Sequence, residues 1–238
     1  ATYRQSSRVM PKLLTRDPQN RLLARGPRFR MDAEMIRDHA LTVSGLLQRK
    51  IGGPSVYPPQ PDGFWLEFGT KGFNMETWPN DSGTNRYRRG LYTFWRRTTA
   101  YPTFTVFDAP SRQDCTVQRS RTNTPLQALT TLNDPAFVEA AIALGQRILQ
   151  RDDLSASQRV RFAFRLCVAR NPQAAELERL VSLYEEQLEN FQKSPQQAAT
   201  FVNFESSQKQ AGLNSPEWAA WSVVATVLLN LDETVTKG

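Results

Sequence analysis

The chain has 238 residues, of which 39% are hydrophobic and 22% charged, enough apolar content to bury one substantial core and far from the composition of disordered chains. Its formal charge of +7 is uneven: residues 1–121 hold 20 Lys+Arg against 10 Asp+Glu, whereas residues 122–238 hold 10 against 13. A basic half suits nucleic acid, acidic polysaccharide, anionic lipid or an acidic partner domain, and its preference for Arg over Lys suits bidentate pairing with carboxylate, sulfate or phosphate.

The chain opens on Ala1-Thr2-Tyr3-Arg4-Gln5 with no initiator methionine and no apolar leader, so it reads as a piece of a longer protein. Asp32 is placed to cap a helix running to about Lys50, with Ile36, Ala40, Val43 and Leu47 as its buried stripe and Gly52-Gly53 as its end. Glu34, Arg37, Asp38 and His39 then fall on its other side. Between Gly53 and Asn85, five prolines alternate with Tyr57, Phe64, Trp65, Phe68, Phe73 and Trp78. That mixture suits a long ordered loop better than helix or strand, and long aromatic loops tend to be functional or interfacial. The stretch from Arg88 to Arg97 has strand-like residues without a clean period, and a short strand and a helix are both open.

The second half repeats one signal, a capping residue before proline at the first helical position: Thr124-Pro125, Asp134-Pro135, Asn171-Pro172, Ser194-Pro195 and Ser215-Pro216. Thr124 with Gln127, and Ser155 with Gln158, also fit the capping box. Helices are expected over 125–132, 135–150, 156–169, 172–193, 195–204 and 216–231. The last is apolar on nearly every side, which marks a helix enclosed by protein. The expected fold is therefore mainly α: an irregular helical domain with a carboxy-terminal bundle, a long aromatic and proline-rich loop, and at most a small sheet. Residues 1–121 form its basic, loop-rich half and 122–238 its bundle half, within one continuous domain.

Several motifs exclude themselves. No glycine-rich phosphate loop, HExxH, GxSxG or dinucleotide fingerprint occurs. Cys115 and Cys167 belong to no CxxC, so no zinc site and no covalent haem site can be built from this chain alone, and no metal ligand set is proposed. One disulfide or two free thiols are both compatible with the pair. The longest apolar stretch, Trp218 to Leu231, is broken by Ser222 and Asn230 and falls short of the ~20 residues a membrane-spanning helix needs.

Three constellations carry possible chemistry. Glu34 and Asp38 lie four apart on one helix face, beside Arg37 and His39; paired carboxylates are the equipment of glycoside hydrolysis, although salt bridges to the surrounding arginines are the plainer reading. His39 is the sole imidazole. Asp108, Arg119, Arg121, Thr122, Thr124, Gln127 and Asn133 could form a polar pocket, in which Arg121 and the start of the helix at Pro125 hold an anion while Asp108 acts as acid or base, or they could only tie loops to a helix end. Tyr57, Trp65, Trp78, Tyr87, Arg88, Arg89, Tyr92, Trp95, Arg96 and Arg97 make an aromatic and basic belt. Such a belt can stack on sugar rings and pair with sulfates, stack on nucleic-acid bases, or pack against another domain.

Segments along nearly the whole chain carry a resemblance: Ala1 to Ser7, Asp17-Pro18-Gln19-Asn20-Arg21-Leu22-Leu23-Ala24-Arg25, Asp32 to Asp38, Gly52 to Val56, Arg88-Arg89-Gly90-Leu91-Tyr92-Thr93, Phe107 to Pro110, Arg121-Thr122-Asn123-Thr124-Pro125-Leu126-Gln127-Ala128-Leu129, Leu132 to Pro135 and Leu228-Leu229-Asn230-Leu231-Asp232-Glu233. In that order they resemble the planctomycete-specific carboxy-terminal domain, domain of unknown function 1553, of very large exported proteins. The resemblance implies export to the periplasm or cell surface and a planctomycete-type cytochrome c domain upstream, so covalent haem c is expected there and no cofactor in this chain. It implies a setting rich in polysaccharide breakdown, and export argues against nucleic acid as a partner. It supplies no catalytic residues. Two functions follow as expectations: a module of an exported haem protein that binds or degrades acidic or sulfated polysaccharide, or a non-catalytic domain that docks an acidic polymer or the upstream domains.

Overall fold

The computed structural model of the chain describes residues 5–60, 78–96, 100–204 and 214–238. Within them the fold is mainly α, with a two-stranded sheet as its extended part. The helices of the second half begin close to where local chemistry starts them. Helix α4 (Pro125–Asn133) has Thr124 accepting from the Gln127 N–H at 3.4 Å, and α5 (Pro135–Leu149) has Asp134 accepting from the Ala136 N–H at 2.9 Å. Helix α6 (Ala156–Val168) carries a complete reciprocal box, in which Gln158 also accepts from the Ser155 N–H at 2.9 Å. Each such bond satisfies a backbone donor that the first turn leaves without an intrahelical partner.

Three of the expected starts change in detail. Helix α7 (Ala174–Lys193) begins two residues beyond Pro172 because Glu176 accepts from the Gln173 N–H at 2.7 Å, which makes Gln173 the cap in place of Asn171. Helix α8 (Pro195–Val202) begins at its proline, but the Ser194 hydroxyl makes no capping bond. Helix α9 (Ser215–Leu229) takes Asn214 as its cap and Ser215 as its first residue.

Helix α9 is the centre of the bundle. It packs against α5, α7 and α8, and Trp221, Val224, Ala225 and Leu228 are fully buried. Its lack of a polar face has that consequence: every side needs protein over it. Tyr184 of α7 stacks on Trp221 at 4.0 Å between ring centroids, and Trp218 donates its indole N–H to the Ile142 carbonyl of α5 at 2.9 Å. Gly145 lets α5 and α9 approach closely, since a Cβ there would stand 2.7 Å from the backbone nitrogen of Ser222.

Helix α2 (Ala33–Ser44), which follows the short helix α1 (Pro11–Arg16), lies across α5 and buries Ile36, Ala40 and Val43 as the spacing predicts. It ends at Gly45, whose φ of 84° is left-handed and whose N–H bonds to the Thr42 carbonyl, and not at Gly52-Gly53. A single left-handed glycine suffices to stop a helix. Leu47, half-buried, consequently lies past the helix end. Arg37 also departs from expectation: it is 3% exposed and donates to the Arg86 carbonyl at 2.6 Å. One apolar cluster runs without a break from α2 through α3 (Pro102–Val106) and α5 to α9.

The stretch from Arg88 is neither regular strand nor α-helix. A 3₁₀ turn (Gly90–Tyr92) is flanked by single parallel bridges, Gln48 with Arg88 and Val56 with Thr93. Strand β1 (Phe29–Arg30) pairs antiparallel with β2 (Thr236–Lys237), which follows the short helix α10 (Asp232–Val235); Phe29 faces Lys237 and Arg30 faces Thr236. That pairing brings residues 29–30 and 236–237 together beside α4. Cys115 is exposed, Cys167 is buried, and both thiols are free. Among the described residues no helix is long and apolar enough to cross a membrane.

Candidate functional site

The three carboxylates that the sequence offers for catalysis hold structural partners. Glu34 receives both guanidinium nitrogens of Arg119, at 2.7 and 3.2 Å, with Arg112 at 3.8 Å. Burial works to raise its pKa, but the Arg119 hydrogen bonds and the charges of Arg119 and Arg112 prevail and hold it below the ordinary value. Asp38 accepts from the Gly90 N–H at 2.6 Å and from Arg89 at 3.0 Å, which fastens the 3₁₀ turn to α2. Asp108, in a left-handed conformation at φ 61°, accepts from the Thr122 N–H at 2.7 Å, from its hydroxyl at 2.9 Å and from Gln127 at 3.4 Å. His39 is tied to the Cys167 carbonyl at 3.1 Å.

Much of the aromatic and basic belt faces inward. The buried Arg88 guanidinium donates to the carbonyls of Pro54, Lys50 and Gly52 at 2.9, 3.2 and 2.5 Å, and lies 3.8 Å from the centre of the Tyr92 ring. Tyr92 in turn accepts from the Gly52 N–H at 2.9 Å. One arginine thus satisfies three carbonyls of a turn that has no ladder to pair with. Trp78 is 8% exposed and donates to the Pro58 carbonyl, while Tyr57 stacks on Phe94. Trp95 donates to the Ser111 carbonyl at 3.2 Å beneath Arg112, and Arg96 lies 5.4 Å from the Trp78 ring centre; both stay half-buried. Trp65 and Arg97 lie outside the described residues.

Of the polar cluster expected around Asp108, Gln127 is the member that lines a cavity. A pocket of about 80 Å³ opens where α4, β1 and the α9–α10 junction meet, lined by Arg30, Asn123, Gln127, Thr131, Asn230 and Asp232 together with the apolar Phe107, Ala128 and Val235. Arg121 is not on its wall: it lies over the Phe29 ring and 3.9 Å from Asp32. Asn133 folds back on its own helix, donating to the Leu129 carbonyl at 2.8 Å.

Gln127 belongs to the pocket, and it reaches there by giving up half of its box. Only the backbone half forms; its side-chain amide points inward, 1% exposed, and donates to the Val106 carbonyl at 3.0 Å and the Thr122 hydroxyl at 3.1 Å. Its Oε1 is buried without a partner. Opposite, Arg30 and Arg28 each donate to Asp232 at 3.1 Å, while the Arg30 Nε–H is buried and unpartnered. Thr131 donates to the Asn230 Oδ1 at 2.6 Å. The two charged side chains of the wall are thus paired with each other.

Sequence reasoning found Gln127 and missed Arg30, Asn123, Thr131, Asn230 and Asp232. One local signal pointed to the pocket: Gln127 and Thr131, four apart, share a helix face opposite Leu126, Leu129 and Leu132. Polar residues inside and leucines outside invert the ordinary pattern, and the three leucines are 54%, 55% and 41% exposed.

A family model described as PSD1, protein of unknown function (DUF1553), matches residues 1–184. No curated protein and no solved structure matches the chain.

Proposed function

Since the chain belongs to the PSD1 family of proteins of unknown function, its role has to be argued from the molecule itself, and we propose that it is a non-catalytic docking domain. The observation that carries this reading is the inverted helix α4, which turns Gln127 and Thr131 to the core and leaves Leu126, Leu129 and Leu132 at the surface. Three leucines on consecutive turns of one helix are an apolar stripe of the kind that protein partners cover. An acidic polymer would find no charge there. The structural partners of Glu34, Asp38 and Asp108 support the same reading, because each carboxylate already holds a loop or a turn.

The occupant we propose is the upstream part of the same longer protein, where the resemblance puts export and covalent haem. The test compares hydrogen exchange of the α4 amides in this 238-residue chain and in the longest native form of the protein. Slower exchange in the longer form, reversed by Leu129→Ser together with Leu132→Ser, is the expected result. Identical exchange in the two forms would overturn the docking reading.

Polysaccharide is the second reading, favoured by one observation: Trp95 and Arg96 of the aromatic and basic belt stay partly exposed. Retardation of the chain by a sulfated or uronic polysaccharide in affinity electrophoresis, lost in Trp95→Ala, would move the conclusion to that ligand.

A further inference from the structure

The amino-terminal arm, residues 5–28, leaves its apolar side chains at the surface and gathers cations around them. Helix α1 has no buried residue, and Val9, Met10, Leu14, Leu22 and Leu23 are 48–70% exposed. The same arm carries Arg8, Lys12, Arg16, Arg21, Arg25 and Arg28 against a single acid, Asp17. That acid is buried and engaged by the backbone, accepting from the Arg21 and Leu22 N–H groups at 2.8 and 2.7 Å. Arg25 donates to the carbonyls of Asp17 and Pro18, and Arg28 pairs with Asp232. Arg8, Lys12, Arg16 and Arg21 are exposed and have no ion pair among the described residues. We propose that this arm docks peripherally on an anionic lipid bilayer, with its leucines entering the interface and these four cations meeting the headgroup phosphates.

The arm holds a defined shape without an apolar core. Asn20 donates to the Arg25 carbonyl at 2.7 Å and accepts from the Arg25 N–H at 3.2 Å, while the Gly26 N–H bonds to the Ser6 carbonyl at 3.0 Å. Polar contacts thus close the turn that presents Leu22 and Leu23. Leu23 lies in the left-handed region at φ 52°, a conformation that costs a leucine more than an asparagine or a glycine. An exposed leucine on such backbone points to a use for its side chain outside the fold. Helix α1 adds a two-sided pattern. Met10 at its cap and Leu14 stand four apart on one side, and Lys12 and Arg16, also four apart, on the other. A helix lying in a lipid interface has this arrangement, its long cations reaching back to the headgroups.

Charge and shape together choose the occupant. An acidic polymer would engage the cations and leave the leucines in water. A helical peptide would lie in a groove, whereas α1, with no buried residue, offers knobs. An anionic bilayer uses both features, because its headgroups supply negative charge and the boundary beneath them takes short apolar side chains. The contact is peripheral, since the six residues of α1 are far fewer than the ~20 that a span requires. It is independent of the docking reading, which rests on Leu126, Leu129 and Leu132 of a different helix.

The test is co-sedimentation of the 238-residue chain with phosphatidylcholine vesicles prepared with and without phosphatidylglycerol. The expected result is binding to the phosphatidylglycerol vesicles alone, weakening as salt rises. Leu22→Gln with Leu23→Asn should lower the affinity about tenfold or more. Asparagine suits the left-handed backbone at position 23, so this variant should melt no lower than the wild type. Arg16→Gln and Arg21→Gln should each cost about fivefold. Leu129→Ser with Leu132→Ser should bind as the wild type does. No binding to phosphatidylglycerol vesicles would overturn the inference. Binding that survives the Leu22 and Leu23 changes in full would overturn it too, reducing the effect to adsorption of a basic surface. So would loss of binding in the Leu129 and Leu132 variant, which would put the lipid contact on α4. Hydrogen exchange of α4 reads docking and vesicle binding reads the arm, so either idea can fail alone.

Discussion

Arg86 donates to Glu139 across the interior, joining the 3₁₀ turn at residues 83–87 to the middle of α5, with side chains only 9% and 3% exposed. A buried pair of this kind adds little net stability compared with an apolar pair of the same size, but it strongly resists being broken. Arg86→Leu removes this partner from the buried Glu139 carboxylate and is expected to cost about 3–5 kcal/mol in chemical denaturation. Arg86→Met with Glu139→Leu should recover most of that loss. Additive losses in the double variant would show that the pair is not the unit that matters.

His39 supplies a pH dependence that can be isolated, because the chain has a single histidine. Burial disfavours its imidazolium and holds the pKa below the ordinary value, and the hydrogen bond to the Cys167 carbonyl offsets only part of that. The unfolded chain therefore takes up the proton first as the pH falls. The stability that neutral His39 contributes is present above the unfolded pKa and is lost as the pH drops through that value toward the lower folded one. Thermal melts between about pH 7.5 and about pH 5 should show the wild type losing more stability than His39→Gln. Parallel curves for the two proteins would refute this assignment.

What the sequence makes legible here is local. Thr124, Asp134 and Ser155 cap helices through bonds that span two or three residues, so their positions can be read directly from the chain. Residues whose partners are distant cannot be read in that way. Arg88 looks like a surface cation beside aromatics, yet its partners are carbonyls 34, 36 and 38 residues earlier. Gln127 has the spacing of a capping-box residue, and the tertiary contacts with Val106 and Asp108 draw its side chain away. Arg30 and Asp232 meet on the pocket wall from positions 202 residues apart, beside the short β1–β2 pairing. Composition does give the inventory of the site; topology decides which members face one another.

The two thiols should separate by reactivity. Cys167 is 4% exposed, and burial pushes its thiol up to about 12, so almost none of it is thiolate at neutral pH. Cys115 is exposed. A chromogenic disulfide reagent at neutral pH is expected to label one thiol per native chain promptly and the second only in denaturant. Prompt labelling of both would mean that α6 opens readily around Cys167.

Gly145 sets how closely α5 can approach α9. A methyl group at this position would stand 2.5 Å from the Ser222 hydroxyl, 2.7 Å from its backbone nitrogen and 2.8 Å from its Cα. Two of those three atoms are backbone, so a rotamer change cannot relieve the clash and the helices have to separate. Gly145→Ala gains about 1 kcal/mol of helix propensity, but overpacking in the core should outweigh it and leave a net loss of about 1–3 kcal/mol. Adding Ser222→Ala removes the hydroxyl and leaves both backbone contacts, so the double variant should unfold at no higher denaturant concentration than Gly145→Ala alone. Full recovery in the double variant would place the conflict at the hydroxyl and show that the two helix backbones have room to spare.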